Sequence, residues 1–250
     1  MKTIGVAIIA FNEAENIERV LKSVSFADDI VLVDSGSSDG TPEIAARNRA
    51  RVFHKKWNGY SEQKQFALDQ LKTDWVIPLD ADEWLTDDSR NEIKATVNLD
   101  STFDAYRLNG RNLFMGRALT TGKGLDNSIR LFKRAKGKYD GRVIHESLIV
   151  DGTMGQLKTF LIHNSTPTIS ERLGKIVMQS DLEMHYWRPG ETSLFKLLSH
   201  PIRYFFSYYL RHKTWRDGVP GLVWLALLSF QIFILHAKYF EKDILNKTKV

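Results

Sequence analysis

The residues most suited to chemistry lie at Thr73–Trp84, where a short apolar run, Trp75–Leu79, leads directly into Asp80, Asp82 and Glu83. In extended chain Asp80 and Asp82 point to the same side. Two carboxylates so placed repel unless something positive neutralises them. A divalent cation carrying a phosphorylated ligand would do so, because Mg²⁺ and Mn²⁺ take oxygen ligands and share them with phosphates. On that ground Asp80 and Asp82 are candidate metal ligands. For so short a motif, an acidic turn capping the next helix is the plain alternative. A second polar cluster, Asp34-Ser35-Gly36-Ser37-Ser38-Asp39-Gly40-Thr41, follows the apolar run Ile30–Val33. A strand-end Asp can hydrogen-bond a base or ribose, and Ser and Gly allow close backbone approach. Alone it also reads as a turn with helix capping.

The elements that must position these residues alternate. Ile4–Phe11 is a continuous apolar run suited to a central parallel strand. Asn12 is expected to cap a helix running to about Ser25, with Ile17, Val20, Leu21 and Val24 at helical spacing. Strands at Ile30–Val33, Arg51–Phe53 and Trp75–Leu79 alternate with helices after Thr41 and over Ser61–Leu71. This series indicates a parallel, doubly wound α/β half. Ligands bind such sheets beyond the carboxyl ends of the strands. Asn12, Asp34 and the Asp80/Asp82/Glu83 group all fall there. A helix at 86–98, capped by Thr86, closes this half. Phe103–Leu108 and Ser128–Phe132 then read as strands of an antiparallel extension, and Ile169–Trp187 as a long helix.

Composition narrows the class. The chain has 250 residues, 43% of them hydrophobic, enough for one full core plus an appendage. With no cysteine, disulfides and thiolate metal sites are excluded. The N-terminus enters a strand-like run without a signal-peptide pattern, so a cytoplasmic location is expected. The net charge of +5 is uneven: residues 185–250 hold 10 Lys/Arg against 4 Asp/Glu. There, Phe195–Arg216 interleaves aromatic and basic residues, a turn is expected at Asp217–Gly221, and Leu222–Leu235 is almost wholly apolar. Fourteen residues fall short of the roughly twenty that span a bilayer. The expectation is a helix in the membrane interface, with an oligomer interface or core packing as the alternative. Nucleic acid is not an expected partner.

Taken together, Ile9-Ala10-Phe11-Asn12-Glu13, the Asp34 loop and Asp80-Ala81-Asp82-Glu83 resemble family 2 glycosyltransferases of the GT-A fold. The likeness is specific over residues 1–85 and supportive to about 165. It implies a GT-A domain over 1–165, with a nucleotide-sugar half at 1–100 and an acceptor half at 101–165. Residues 166–250 would form a membrane-associating helical region. It further implies an inverting transferase using a UDP-sugar and Mg²⁺ or Mn²⁺. Phe11, Asn12, Glu13 and Asp34 would then cradle the nucleotide, while Asp80 and above all Asp82 hold the metal–diphosphate. Lys64 stands where similar proteins carry Arg-Asn and is a candidate diphosphate contact.

An inverting reaction needs a carboxylate to take the acceptor's proton. Glu146, in Val143-Ile144-His145-Glu146, resembles the family's base, with Asp126 as its rival. Arg130 is a candidate for the acceptor or diphosphate, and His163 for the metal shell. Within the family, the chain most resembles lipopolysaccharide-core glucosyltransferases that add β-glucose to an inner-core heptose. That implies an acceptor at the inner leaflet, on the cytoplasmic face of the inner membrane. Another lipid-linked or cell-surface glycan, a sugar nucleotidyltransferase and a non-catalytic nucleotide-sugar-binding membrane protein are the alternatives. Self-association stays open.

Overall fold

The computed structural model describes all residues except 100–101, 122–124, 143–145, 185–186, 189, 191 and 249–250, and the side chains of 125–126 and 247–248. Contacts divide the chain into two compact units, 1–111 with 126–164, and 112–125 with 165–250. Residues 112–125 thus group with the C-terminal helices, which differs from the contiguous division expected from the sequence.

The first unit is built on a parallel core. Strands β1 (Ile4–Ala10), β2 (Asp29–Asp34), β3 (Arg51–His54) and β4 (Trp75–Asp80) alternate with helices α1 (Ala14–Ser23), α2 (Thr41–Arg47) and α3 (Tyr60–Asp69). β1 lies between β2 and β4, parallel to both, and β3 pairs parallel with β2. β1 and β4 are apolar along nearly their whole length because helices cover both faces, and Val6, Ile8, Val31, Leu32, Val76 and Ile77 are fully buried.

The chain then adds β5 (Glu83–Leu85), α4 (Asp87–Asn98), β6 (Ala105–Phe114), β7 (Arg117–Ala118), β8 (Leu125–Lys133), β9 (Gly137–Tyr139), β10 (Leu148–Val150) and β11 (Met154–His163). The sheet runs β3-β2-β1-β4-β8-β6-β11-β5. β8 joins β4 antiparallel, and β5 pairs antiparallel with β11. Thr86 caps α4, its hydroxyl accepting from the Ser89 amide. β9 and β10 form a separate two-stranded ribbon.

The second unit holds α5 (Ile169–Glu183), α6 (Leu194–Arg211) and α7 (Gly218–Thr248). Phe114, Leu119 and Trp224 form its buried cluster. Asp217 accepts from the amides and hydroxyls of Thr120 and Thr121. Two expectations fail here. Asp217–Gly221 does not end in a turn, because Gly218 opens α7 and Pro220 sits in its first turn, where no amide partner is needed. The apolar stretch is also not too short. The helix continues past Leu235 to Thr248, and Thr214–Asn246 is long and apolar enough to cross a membrane.

Candidate active site

Strand register assembles the site. Ala10 lies opposite Asp34 and Ile9 opposite Asp80, so the ends of β1, β2 and β4 reach one edge together. At the β1 end the chain turns sharply. Asn12 adopts φ 54°, which Asn tolerates better than most residues. Its amide donates to Ser37 Oγ at 2.8 Å, and its Oδ1 accepts from the Ser38 amide at 2.9 Å. Asn12 therefore does not cap α1. That role passes to Asp39, whose Oδ2 accepts from the Ala14 amide, while Thr41 Oγ1 accepts from Glu13. The two loops are laced together by side chains. Phe11 is left 58% exposed at the strand tip.

Asp34 sits beneath this lacing and is 1% exposed. Its Oδ2 accepts from the amides of Gly36 and Ser37 and lies 3.3 Å from His54 Nδ1. Gly36 takes φ +102°, in the left-handed region that favours glycine. Asp34 Oδ1 is buried and has no hydrogen-bond partner among the described residues. A buried acceptor left unpaired costs roughly 1–3 kcal/mol, so a ligand donor there would be favoured.

The carboxylates after β4 do not form one cluster. Residues 81–82 make a turn, so the alternation of extended chain does not apply. Asp80 Oδ1 pairs with Lys64 Nζ at 2.9 Å. Asp82 Oδ2 lies 3.2 Å from His163 Nε2, at the end of β11. Glu83 is 2% exposed and takes both terminal nitrogens of Arg130 at 2.6 Å, while its Oε2 also accepts from the Asp80 amide. Arg130, expected to meet the acceptor or diphosphate, instead clamps the turn that presents Asp80 and Asp82. Glu83, held by that clamp, is not open to a cation.

Lys64 is the junction of the site. Its ammonium reaches Asp80 and also Glu146 Oε1, at 2.8 Å. Burial alone would make it easier to deprotonate, but Asp80, Tyr139 and Glu146 outweigh burial and hold it well above the usual lysine range. Burial also disfavours charge on Asp80, yet Lys64 and Arg130 hold its carboxyl below the ordinary value. Burial would likewise lower His163, but Asp82 raises it above the ordinary histidine value. Burial pushes the Glu13 carboxyl up, against the pull of Asn16 and with the help of Asp82.

Thus Asn12, Glu13, Asp34, Asp80, Asp82, Lys64, Glu146 and His163 lie in one unit, with Phe11 at its rim. The Asp126 side chain and Val143, Ile144 and His145 lie outside the described residues. Sequence reading missed Gln63, which is fully buried and donates to Ser35 Oγ and the Lys55 carbonyl. A fully polar residue on the inward face of α3 was its only signal. It also missed His54, one strand over from Asp34.

Among the described residues, no group of three or more His, Asp or Glu forms a ready metal cage. Asp82 and His163 offer one oxygen and one nitrogen side by side. The Asp82 oxygen suits Mg²⁺ or Mn²⁺, which leave positions for phosphate oxygens and water, whereas an imidazole nitrogen is not a donor that Mg²⁺ prefers.

The family model for glycosyl transferase family 2 matches residues 5–97. A lipopolysaccharide core biosynthesis glycosyltransferase, LpsC of Rhizobium meliloti, is 28% identical over 96% of this chain and 92% of its own. An uncharacterized glycosyltransferase of Rickettsia bellii is 29% identical over 97% and 88%. Among solved structures, Staphylococcus aureus TarS 1-349 aligns with TM-score 0.47 and 13% identity over 98% of this chain and 88% of that one. Glucosyl-3-phosphoglycerate synthase of Mycobacterium tuberculosis, in complex with Mn²⁺ and UDP-glucose, aligns with TM-score 0.39 and 24% identity over 44% of each. The matched segment contains β1 to β4 and the carboxylates at their ends, so residues 5–97 are similar to the family 2 glycosyl transferases, and the relatives that align along nearly the whole chain are glycosyltransferases.

Proposed function

We propose that the protein transfers a hexose, glucose first among candidates, from a UDP-sugar to an inner-core heptose of lipopolysaccharide, with inversion to a β-linkage. One observation carries this reading: Lys64 bridges the donor-side carboxylate Asp80 and the candidate base Glu146 at 2.9 and 2.8 Å. A base so close to the donor carboxylates is where an incoming hydroxyl would have to be activated. The similarity to LpsC along almost the whole chain supports the lipopolysaccharide acceptor.

In this reading Asp34 Oδ1 accepts from the base or ribose, and Phe11 covers it. Asp82 and His163 hold the cation, with Asp80 beside them. The cation supplies charge neutralisation for the departing diphosphate. Lys64, released from Glu146 as donor and acceptor enter, adds a second positive charge. Glu146 takes the proton from the acceptor hydroxyl as that oxygen attacks C1 from the face opposite UDP. Asp126 is the alternative base.

The second unit fits an acceptor held at a membrane. Leu194, Leu198, Ile202, Phe206 and Leu210 recur every four residues along α6 and are exposed. Lys196, Arg203 and Arg211 lie on the same helix, the pattern of a helix at an anionic lipid surface. α7 adds length and apolarity sufficient to enter the bilayer.

The test pairs two variants. Asp82→Ala and Glu146→Gln are both expected to abolish transfer from UDP-glucose to heptose-terminated core lipopolysaccharide, while UDP binding survives in Glu146→Gln. Normal transfer by Glu146→Gln would remove it as the base.

A further inference from the structure

Where α3 begins, two aromatic rings face solvent beside the candidate catalytic junction. Trp57 and Tyr60 are 43% and 45% exposed and meet edge to face, with ring centroids 4.6 Å apart. The Tyr60 ring lies 6.0 Å from Lys64 Nζ, and Lys64 holds both Asp80 and Glu146. Tyr60 and Lys64 lie four residues apart on α3 and so share one face of the helix, and Trp57, in the segment before α3, is placed beside them by its ring contact with Tyr60.

The rings are held in place. Gly59 takes φ +108°, which sets the entry into α3, and the Gln63 amide closes the first turn on the Gly59 carbonyl. Asn58 hydrogen-bonds Glu62, and Lys55 pairs with Glu62 at 2.6 Å. Gln63 pins the Lys55 carbonyl from below. The same helix anchors the segment leading to Glu146: Ser61 Oγ accepts from Gly141, and Gln65 Oε1 from Tyr139. A rigid, exposed aromatic pair contributes little to the core. It does suit a flat, partly apolar ligand face, which rings engage at small entropic cost.

We propose that Trp57 and Tyr60 form the acceptor subsite, stacking against a sugar ring of the glycan that receives the transferred hexose. The occupant is a saccharide because the platform adjoins Glu146, whose task is to deprotonate a sugar hydroxyl. In the proposed function the nucleotide is taken by Phe11 and Asp34, at the ends of β1 and β2. The subsite rests on the glycosyl-transfer reading above.

The test uses the full-length protein with UDP present and a deacylated core oligosaccharide ending in heptose, titrated by calorimetry. Trp57→Ala and Tyr60→Ala are each expected to weaken oligosaccharide binding about tenfold, a usual size for an aromatic anchor. Trp57→Phe retains most of it. The affinity for UDP stays within about a factor of two in all three. Undiminished oligosaccharide binding by Trp57→Ala would overturn the subsite. So would a parallel fall in UDP affinity, or no oligosaccharide binding by the wild-type protein. The transferase reading fails separately, if the wild-type protein neither binds UDP nor turns over any UDP-sugar.

Discussion

Replacing Lys64 with Met keeps the length of the side chain but removes the charge between Asp80 and Glu146. The ammonium lies 2.9 Å from one carboxylate and 2.8 Å from the other, so their nearest oxygens are less than about 6 Å apart. At an effective dielectric constant of about 20, two unit charges at that separation repel by roughly 3 kcal/mol. The Asp80 side chain is 34% exposed, and solvent screening reduces the expected loss of stability to about 2 kcal/mol. For a chain of this size that corresponds to roughly 4–8 °C in melting temperature. Differential scanning fluorimetry of Lys64→Met, Glu146→Gln and the double variant reads it directly. Glu146→Gln removes one of the two repelling charges, so it should restore at least half the loss in the Lys64→Met background. A Lys64→Met protein that melts with the wild type, or a double variant with purely additive losses, would refute the bridge.

Three further outcomes are expected. Arg130→Met leaves Glu83 buried without its bidentate partner and should cost about 3–5 kcal/mol in urea unfolding, with Arg130→Lys failing to restore the fork. Burial disfavours charge on Glu92, but the amides of Lys158 and Thr159 and the Thr159 hydroxyl outweigh burial and hold its carboxyl below the ordinary value. That contribution is fully present above pH about 4.5 and is lost as pH falls through the depressed folded value. An acid-unfolding series should therefore show a shallower decline below about pH 4.5 for Glu92→Gln. Full-length protein should co-sediment with vesicles containing anionic lipid and release partly at high salt, and Leu198→Asp with Ile202→Asp should weaken that binding.

The parallel core was readable because it obeys simple rules. β1, β2 and β4 are short apolar runs ending in polar residues, and register alone brings Ala10, Asp34 and Asp80 to one edge. The Asp80–Glu83 stretch was half readable. Its carboxylates are evident, but the turn at 81–82 sends each to a different partner, and Arg130 lies 47 residues from Glu83 in sequence. Nothing local signals such a pairing. α7 was misjudged because Gly218, Pro220 and Gly221 look like a break, while their position in the first turn removes the cost of a missing amide partner. Trp57 and Tyr60 escaped notice because exposed aromatics next to a glycine resemble an ordinary loop. Only the fold places them beside Lys64.

Inverting transfer from a UDP-sugar to a heptose is the reaction proposed for the protein. Wild-type protein, UDP-glucose labelled at C1, Mg²⁺ and heptose-terminated core oligosaccharide should yield a new disaccharide linkage. Proton NMR of the product should show the large axial coupling of a β-glucoside at that labelled carbon. An α-glucoside, or labelled free glucose with no linkage to the oligosaccharide, would contradict the account.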